Sequence, residues 1–185
     1  MAGPNRIEEI DACNDAGRLC IERGDLEGAC DAFSRGLDLL EKSPDPKRQA
    51  VFLNNLGHVL VGLDRRDEAL GRFQGAGRLC ESFGDRTGLA WQLGNVGSVY
   101  RDKEEHQAAL ENYSKALAIF EEQDESLGMA DQYSNIGYIH ARKRERETAL
   151  KWFQKAKALY DSLRQERKAS LAEQNIQLLT SSGNT

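Results

Sequence analysis

Apolar residues recur three and four positions apart along this chain, in stretches separated by short polar turns. That is the spacing of one face of an α-helix. The first stretch predicts a helix over about 7–23, with Ile10, Cys13, Ala16, Gly17 and Cys20 on one stripe. Gly24-Asp25 turns the chain, and a second helix carries Ala29, Phe33, Leu37 and Leu40. Ser43-Pro44-Asp45-Pro46 ends it, because two prolines so close cannot continue a helix. The arrangement then recurs. Leu53, Leu56, Gly57 and Leu60 face Ala69, Phe73, Ala76 and Leu79 across Asp64-Arg65-Arg66. Leu93, Val96, Gly97 and Tyr100 answer Ala109, Tyr113, Ala116 and Ile119, and Tyr133, Ile136, Gly137 and His140 answer Ala149, Phe153, Ala156 and Leu159.

The recurrence has a fixed length. Asn55-Leu56-Gly57, Asn95-Val96-Gly97 and Asn135-Ile136-Gly137 follow the degenerate Asp15-Ala16-Gly17 at a constant spacing of 40 residues. A period in this range marks a stack of helix pairs, each burying its apolar face against the next. The chain is therefore all-α, with four repeats over 7–168 (about 7–46, 48–86, 88–126 and 128–167). A C-terminal capping helix follows over 169–180, with Ala172, Ile176 and Leu179 as its narrow apolar stripe, and then a disordered tail over 181–185; residues 1–6 are a frayed lead-in. A mid-helix glycine costs about 1 kcal/mol relative to alanine, so four in one phase call for close helix approach. The aromatic rings of Phe33, Phe73, Tyr113 and Phe153 fill the space that Gly17, Gly57, Gly97 and Gly137 leave.

These positions, clearest in Leu53-Leu56-Gly57-Leu60-Ala69-Phe73-Ala76 and Leu93-Val96-Gly97-Tyr100-Ala109-Tyr113-Ala116, resemble the tetratricopeptide repeat. The forty-residue unit, and junctions such as Gly84-Asp85-Arg86-Thr87-Gly88, are similar to its long-repeat subclass in Pins-type adaptors, kinesin light chains and bacterial regulators. The resemblance implies a right-handed superhelix of antiparallel helix pairs, a concave groove lined by the first helix of each pair, and a non-enzymatic role in holding peptides or protein partners. Chaperone adaptors of this family clamp a C-terminal carboxylate with basic residues beside asparagine. Here Asp131 and Asn135 stand in those places, which speaks against such a clamp there.

Composition narrows the partners. The net charge is −5, with 25 Lys and Arg against 30 Asp and Glu, so nucleic acid is not expected as a ligand. The balance is uneven: 4 basic and 10 acidic residues lie between Arg6 and Glu41, whereas 10 basic and 4 acidic lie between Arg142 and Lys168. That gradient can steer a partner or can simply belong to solvated helix faces. No apolar run approaches the roughly 20 residues that span a bilayer, and the start lacks a signal-peptide segment, so no membrane contact and a cytoplasmic location are expected. Cys13, Cys20, Cys30 and Cys80 form no Cys-x-x-Cys pair and fall in register with apolar residues of other repeats, as reduced buried thiols do.

No catalytic constellation emerges. His58, His106 and His140 have no metal-binding spacing, His106 falls in a predicted turn, and His140 is in phase with Leu60 and Tyr100. There is no Gly-x-Ser-x-Gly elbow and no phosphate loop, so neither enzyme activity nor a cofactor or metal is expected. If Leu53, Leu56 and Leu60 face the core, then Val51, Asn55, His58 and Gly62 share another face. The counterparts are Asp11, Asp15, Arg18 and Glu22; Trp91, Asn95, Ser98 and Asp102; and Asp131, Asn135, Tyr138 and Arg142. The candidate groove is thus Asp15, Arg18, Asn55, His58, Trp91, Asn95, Ser98, Asp131, Asn135, Tyr138, Arg142 and, in the last helix, Asn175. An amide both donates and accepts, so the asparagine row either clamps a peptide main chain or bonds between neighbouring helices. The sequence points to a peptide-binding adaptor. A self-associating scaffold and the peptide-sensing part of a bacterial regulatory system are the alternatives.

Overall fold

The computed structural model describes residues 6–181. Among them are nine helices and no strand: α1 Arg6–Glu22, α2 Leu26–Lys42, α3 Pro46–Gly62, α4 Arg66–Ser82, α5 Arg86–Asp102, α6 His106–Glu122, α7 Ser126–Arg142, α8 Arg146–Ser162 and α9 Glu166–Ser181. A helix starts every 20 residues, so the forty-residue sequence period is two helices and two turns. The expected lead-in and tail lie mostly outside the described residues, although Arg6 opens α1 and Ser181 closes α9. The last helix starts at Glu166, three residues before the start expected at Ala169.

At every turn but the one between α2 and α3, three residues suffice because the helix end closes on itself. The amide of Arg65 reaches the Leu60 carbonyl at 2.8 Å while Asp64 bonds Val61 at 3.1 Å, and the same pair of bonds recurs at Glu105, Glu125, Glu145 and Gln165. This six-to-one closure needs a left-handed residue at its centre. Gly24 and Gly84 supply it with φ of 76° and 78°, but Asp64, Glu104, Asp124, Arg144 and Arg164 also adopt it, with φ between 52° and 63°. The next residue then starts the following helix: Asp25 and Asp85 cap the amides of Gly28 and Gly88 at 2.9 and 2.8 Å.

Within each pair the small residues do what their phase implies. A Cβ at Gly17 or Gly57 would lie 2.6 Å from the ring of Phe33 or Phe73, and one at Gly97 would lie 2.7 Å from Tyr113. Gly137 leaves more room, 3.1 Å from Phe153. Helices also approach closely between pairs, where Gly36 takes the edge of Phe52 and a Cβ at Gly128 would lie 2.5 Å from Phe120. All four aromatic residues and the alanines at 29, 69, 76, 109, 116, 149 and 156 are almost fully buried.

The stripe itself is rotated slightly from the one expected. Leu53, Leu93, Tyr133, Tyr100 and His140 are half-buried and Ala16 is exposed, whereas Phe52, Val59, Val99 and Ile139 are buried. Gln92 and Gln132 share the phase of Phe52 and are buried as well. Among the cysteines, all free thiols, Cys13 and Cys80 are buried but Cys20 and Cys30 only half so. The positions themselves are only half covered, since Leu70 and Leu110 in register with Cys30, and Tyr100 in register with Cys20, are half-buried as well. His140, expected in the core, instead places Nδ1 2.5 Å from Glu145 Oε2 at the α7–α8 turn, and His106 opens α6 rather than lying in the turn.

The chain divides into two compact units, Met1–Gln92 and Leu93–Thr185, with the boundary inside α5. The first contains α1 to α4 and the start of α5. The second contains the rest of α5 and α6 to α9, with α7 packed on α8, and α8 on α9.

Candidate partner-binding surface

The odd-numbered helices carry the candidate residues, and in the first unit most of these are engaged with one another. Asn55 on α3 donates to Asn14 Oδ1 on α1 at 3.3 Å and accepts from Asn54 at 3.3 Å. Asn54 in turn accepts from buried Gln92 at 3.1 Å. The four amides form one relay across α1, α3 and α5. Arg48 bonds the Asp11 carboxylate beside it. Asp15 and Arg18 are exposed, and Trp91 is half-buried. The His58 ring is exposed by area yet crowded, 5.0 Å from Phe73 and edge-on to it. That crowding holds its pKa below the ordinary histidine value through desolvation.

In the second unit the matching residues are used differently. Asn135 on α7 and Asn175 on α9 are half-buried, and neither amide bonds any described residue. The reason lies one repeat back. Asn55 bonds Asn14, 41 residues earlier, but Gly94 occupies that place for Asn135 and has no side chain to offer. The same glycine leaves room for Gln132, whose amide lies within 3.2–3.3 Å of where a Gly94 Cβ would be. Gln132 is only 2% exposed and its Oε1 has no partner among the described residues.

Beside the two free amides stand exposed apolar side chains. Tyr138, three residues after Asn135, is 43% exposed; Leu171 and Leu178, which flank Asn175 on α9, are 53% and 65% exposed. Leu171 and Leu178 are in phase with Asp131 and Tyr138 of α7, so the stripe predicted on the first helices runs on into α9. Sequence reasoning missed these leucines, although their spacing of 40 residues from the candidate positions would have found them.

Other candidates are occupied within the fold. Asp131 accepts from the Tyr160 hydroxyl at 2.7 Å and from Lys168 Nζ at 2.7 and 2.9 Å, tying α7 to α8 and α9. Burial, with that carboxylate beside it, pushes the Tyr160 pKa well above its ordinary value. Ser98 accepts from the Tyr113 hydroxyl at 3.2 Å. Asn95 is half-buried. Arg142 is exposed and makes one bond, to Glu104 at 3.1 Å. Among the described residues no group of three or more His, Cys, Asp or Glu side chains converges as a metal site, and no helix is long and apolar enough to cross a membrane.

Solved structures share this architecture at low sequence identity. Aspartyl phosphate phosphatase F from Bacillus subtilis aligns with a TM-score of 0.89 at 17% identity, over 95% of this chain and 46% of that one. A Rap protein complexed with Competence and Sporulation Factor aligns with 0.80 at 16% identity, over 96% and 50%. A signal transduction ATPase with numerous domains and a tetratricopeptide repeat sensor, from Pyrococcus horikoshii, aligns with 0.84 at 17% identity, over 96% and 28%. The chain thus spans half or less of the length of each. No curated protein matches the sequence as a relative. The family model described as tetratricopeptide repeat matches residues 48–122 and 88–162. With the repeated glycine–aromatic contacts and the helix pairs already described, that match over most of its length places the chain in the tetratricopeptide repeat family.

Proposed function

We propose that this chain is a non-enzymatic interaction module that holds a segment of a partner protein against the odd-numbered helices, chiefly those of the second unit. One observation carries the reading. Asn135 and Asn175 present unbonded amides, and exposed Tyr138, Leu171 and Leu178 lie within a helical turn of them. An amide left free in this way can donate to and accept from a peptide main chain whatever its sequence, and exposed aromatic and aliphatic groups beside it supply the area that leaves water on binding. The forty-residue spacing suits the long-repeat subclass. A Rap protein complexed with Competence and Sporulation Factor and a tetratricopeptide repeat sensor in a signal transduction ATPase share the fold. They favour, as a second reading, a sensor within a regulatory system.

The test is selection of random peptides displayed on phage, followed by calorimetry with the selected sequences. The double variant Asn135→Ala, Asn175→Ala is expected to weaken binding by roughly tenfold or more while thermal stability stays within about 1 kcal/mol of the parent. The control, Asp15→Ala with Arg18→Ala in the first unit, should bind as the parent does. Equal losses in both variants would sink the assignment to the second unit.

A further inference from the structure

Gln132 is a buried amide that the second unit does not use. It is 2% exposed, its Oε1 has no partner, and its Nε2 bonds nothing either among the described residues. A buried amide left unbonded has given up its hydration for nothing, so a ligand that bonds it recovers that loss. The first unit shows what such a glutamine bonds. Gln92, 40 residues earlier and also buried, donates to Asn54 Oδ1 at 3.1 Å. In the same relay Asn55 donates to Asn14 Oδ1 at 3.3 Å.

Asn14, Asn54 and Gly94 stand at one repeat position, 40 residues apart. A carboxamide at the place of a Gly94 side chain would therefore receive from Gln132 as Asn54 does from Gln92, and from Asn135 as Asn14 does from Asn55. The tip of Gln132 already points there, with Nε2 and Oε1 3.2 and 3.3 Å from where a Gly94 Cβ would be. Gly94 is buried under that tip, but Asn14 and Asn54, which fill the same place in the first unit, are only half-buried. The place is thus within reach from the groove side, and turning the tip of Gln132 aside breaks no hydrogen bond. Gln132 offers a donor and an acceptor side by side, and a carboxamide answers with an acceptor and a donor side by side, so two parallel bonds form. The N–H and C=O of a trans peptide group point in opposite directions and cannot make both. A carboxylate has no proton for Oε1 and an ammonium has no acceptor for Nε2. A hydroxyl is a single atom and does not span the pair.

We propose that the notch over Gly94, between Gln132 and Asn135, takes the side-chain carboxamide of an asparagine or glutamine in the partner segment. The partner then supplies the amide that Asn54 supplies within the first unit. The proposal rests on the interaction reading above and adds to it a sequence preference, which contacts to a main chain do not give.

The test repeats the phage selection on three forms of the full chain: the parent, Gly94→Asn and Gln132→Leu. Asn or Gln is expected at one fixed position of the peptides selected on the parent, and at no fixed position of those selected on either variant. In a parent-selected peptide, replacing that residue by Ala should weaken binding to the parent by roughly tenfold, and binding to either variant by less than about twofold. Asp in its place should bind no better than Ala, and exchanging Asn with Gln tells the two sources apart. Gly94→Asn, which fills the notch from within, decides the matter should Gln132→Leu fail to fold. Peptides with no fixed Asn or Gln, as expected if Gln132 holds only a water, would overturn the proposal and leave the interaction reading in place. A fixed Ser, Thr, Asp or Lys instead, or equal losses in the parent and Gly94→Asn, would do the same. If no peptide binds the parent, both fall. If the carboxamide couples to Gln132 but Asn135→Ala with Asn175→Ala changes nothing, the notch stands on Gln132 alone and the main-chain reading falls.

Discussion

The first unit and the second are built from the same repeat, yet Asn55 in the first and Asn135 and Asn175 in the second do opposite things. In the first, Asn55 is bonded to Asn14 and Asn54, and the relay continues to Gln92. In the second, Asn135 stands after Gly94 and Asn175 after Ser134, and both amides are unbonded among the described residues. A repeated residue therefore has no fixed job. What it does depends on the side chain one repeat earlier: where Asn14 stands, Asn55 is bonded, and where Gly94 or Ser134 stands, the later amide is left available to a ligand. Exposed apolar groups occur in both units, Ile7, Leu19, Ile21 and Val51 in the first and Tyr138, Leu171 and Leu178 in the second, so the state of the amides is what distinguishes the two.

The last repeat also differs from the other three in how tightly the glycine phase is filled, and this gives the largest predicted effect. A methyl at Gly57 would lie 2.6 Å from Phe73, but one at Gly137 would lie 3.1 Å from Phe153. Overpacking of this kind costs about 1–3 kcal/mol, against a gain of about 1 kcal/mol in helix propensity. Urea denaturation should show Gly57→Ala losing about 2 kcal/mol and Gly137→Ala within about 1 kcal/mol of the parent. Equal losses would mean that the aromatic rings are not packed differently.

Filling the gap in the second unit should make it behave like the first. Gly94→Asn gives Gln132 and Asn135 an amide to bond, and the nearest atoms its Cβ would meet belong to the movable end of Gln132. A stability gain of about 1 kcal/mol is expected, from hydrogen bonding and from replacing a mid-helix glycine. The same variant should bind selected peptides more weakly, because it occupies Asn135. Truncating the asparagines gives a smaller contrast of opposite sign. Asn55→Ala breaks two side-chain bonds and should cost about 0.5–1 kcal/mol, whereas Asn135→Ala breaks none and should gain up to about 0.5 kcal/mol in helix propensity. Thermal melts of the two variants side by side would show the sign.

The smallest effect concerns pH and belongs to the first unit alone. Burial lowers the His58 pKa in the folded chain below its ordinary 6.5, so the folded state binds this proton less readily than the unfolded one does. The linked stability is complete above the unfolded pKa and declines as pH falls from there toward the folded value. His58→Gln should flatten the stability–pH curve below about pH 6.5. An unchanged slope would show that the ring is not desolvated.

Much of the fold was legible because it repeats. Gly57 and Phe73 lie at fixed phase in every unit, and a contact needed four times leaves four copies of its signature. Gln92 and Gln132 were not legible, since a polar residue on a helix reads as solvated unless the neighbour that buries it is known. Gln92 is buried because Asn54 accepts its amide. The asparagine row was visible in the sequence, but its two uses were left open. The deciding residues, Asn14 and Gly94, stand 41 positions before Asn55 and Asn135, one residue out of the obvious register. The polar recess lined by Arg101, Asp102, Glu104, His106, Tyr138 and Arg142 lay beyond sequence reasoning for a similar reason. Arg101 at the end of α5 and His106 at the start of α6 fall outside the repeat stripe and are brought together by the turn between those helices.

The central claim is that the second unit's free amides, and not the first unit's bonded ones, meet the partner. NMR of the asparagine side-chain amides, during titration with a phage-selected peptide, tests it most directly. The Asn135 and Asn175 signals are expected to shift and saturate together while Asn55 stays in place. Movement of Asn55 with Asn135 and Asn175 unmoved would contradict it.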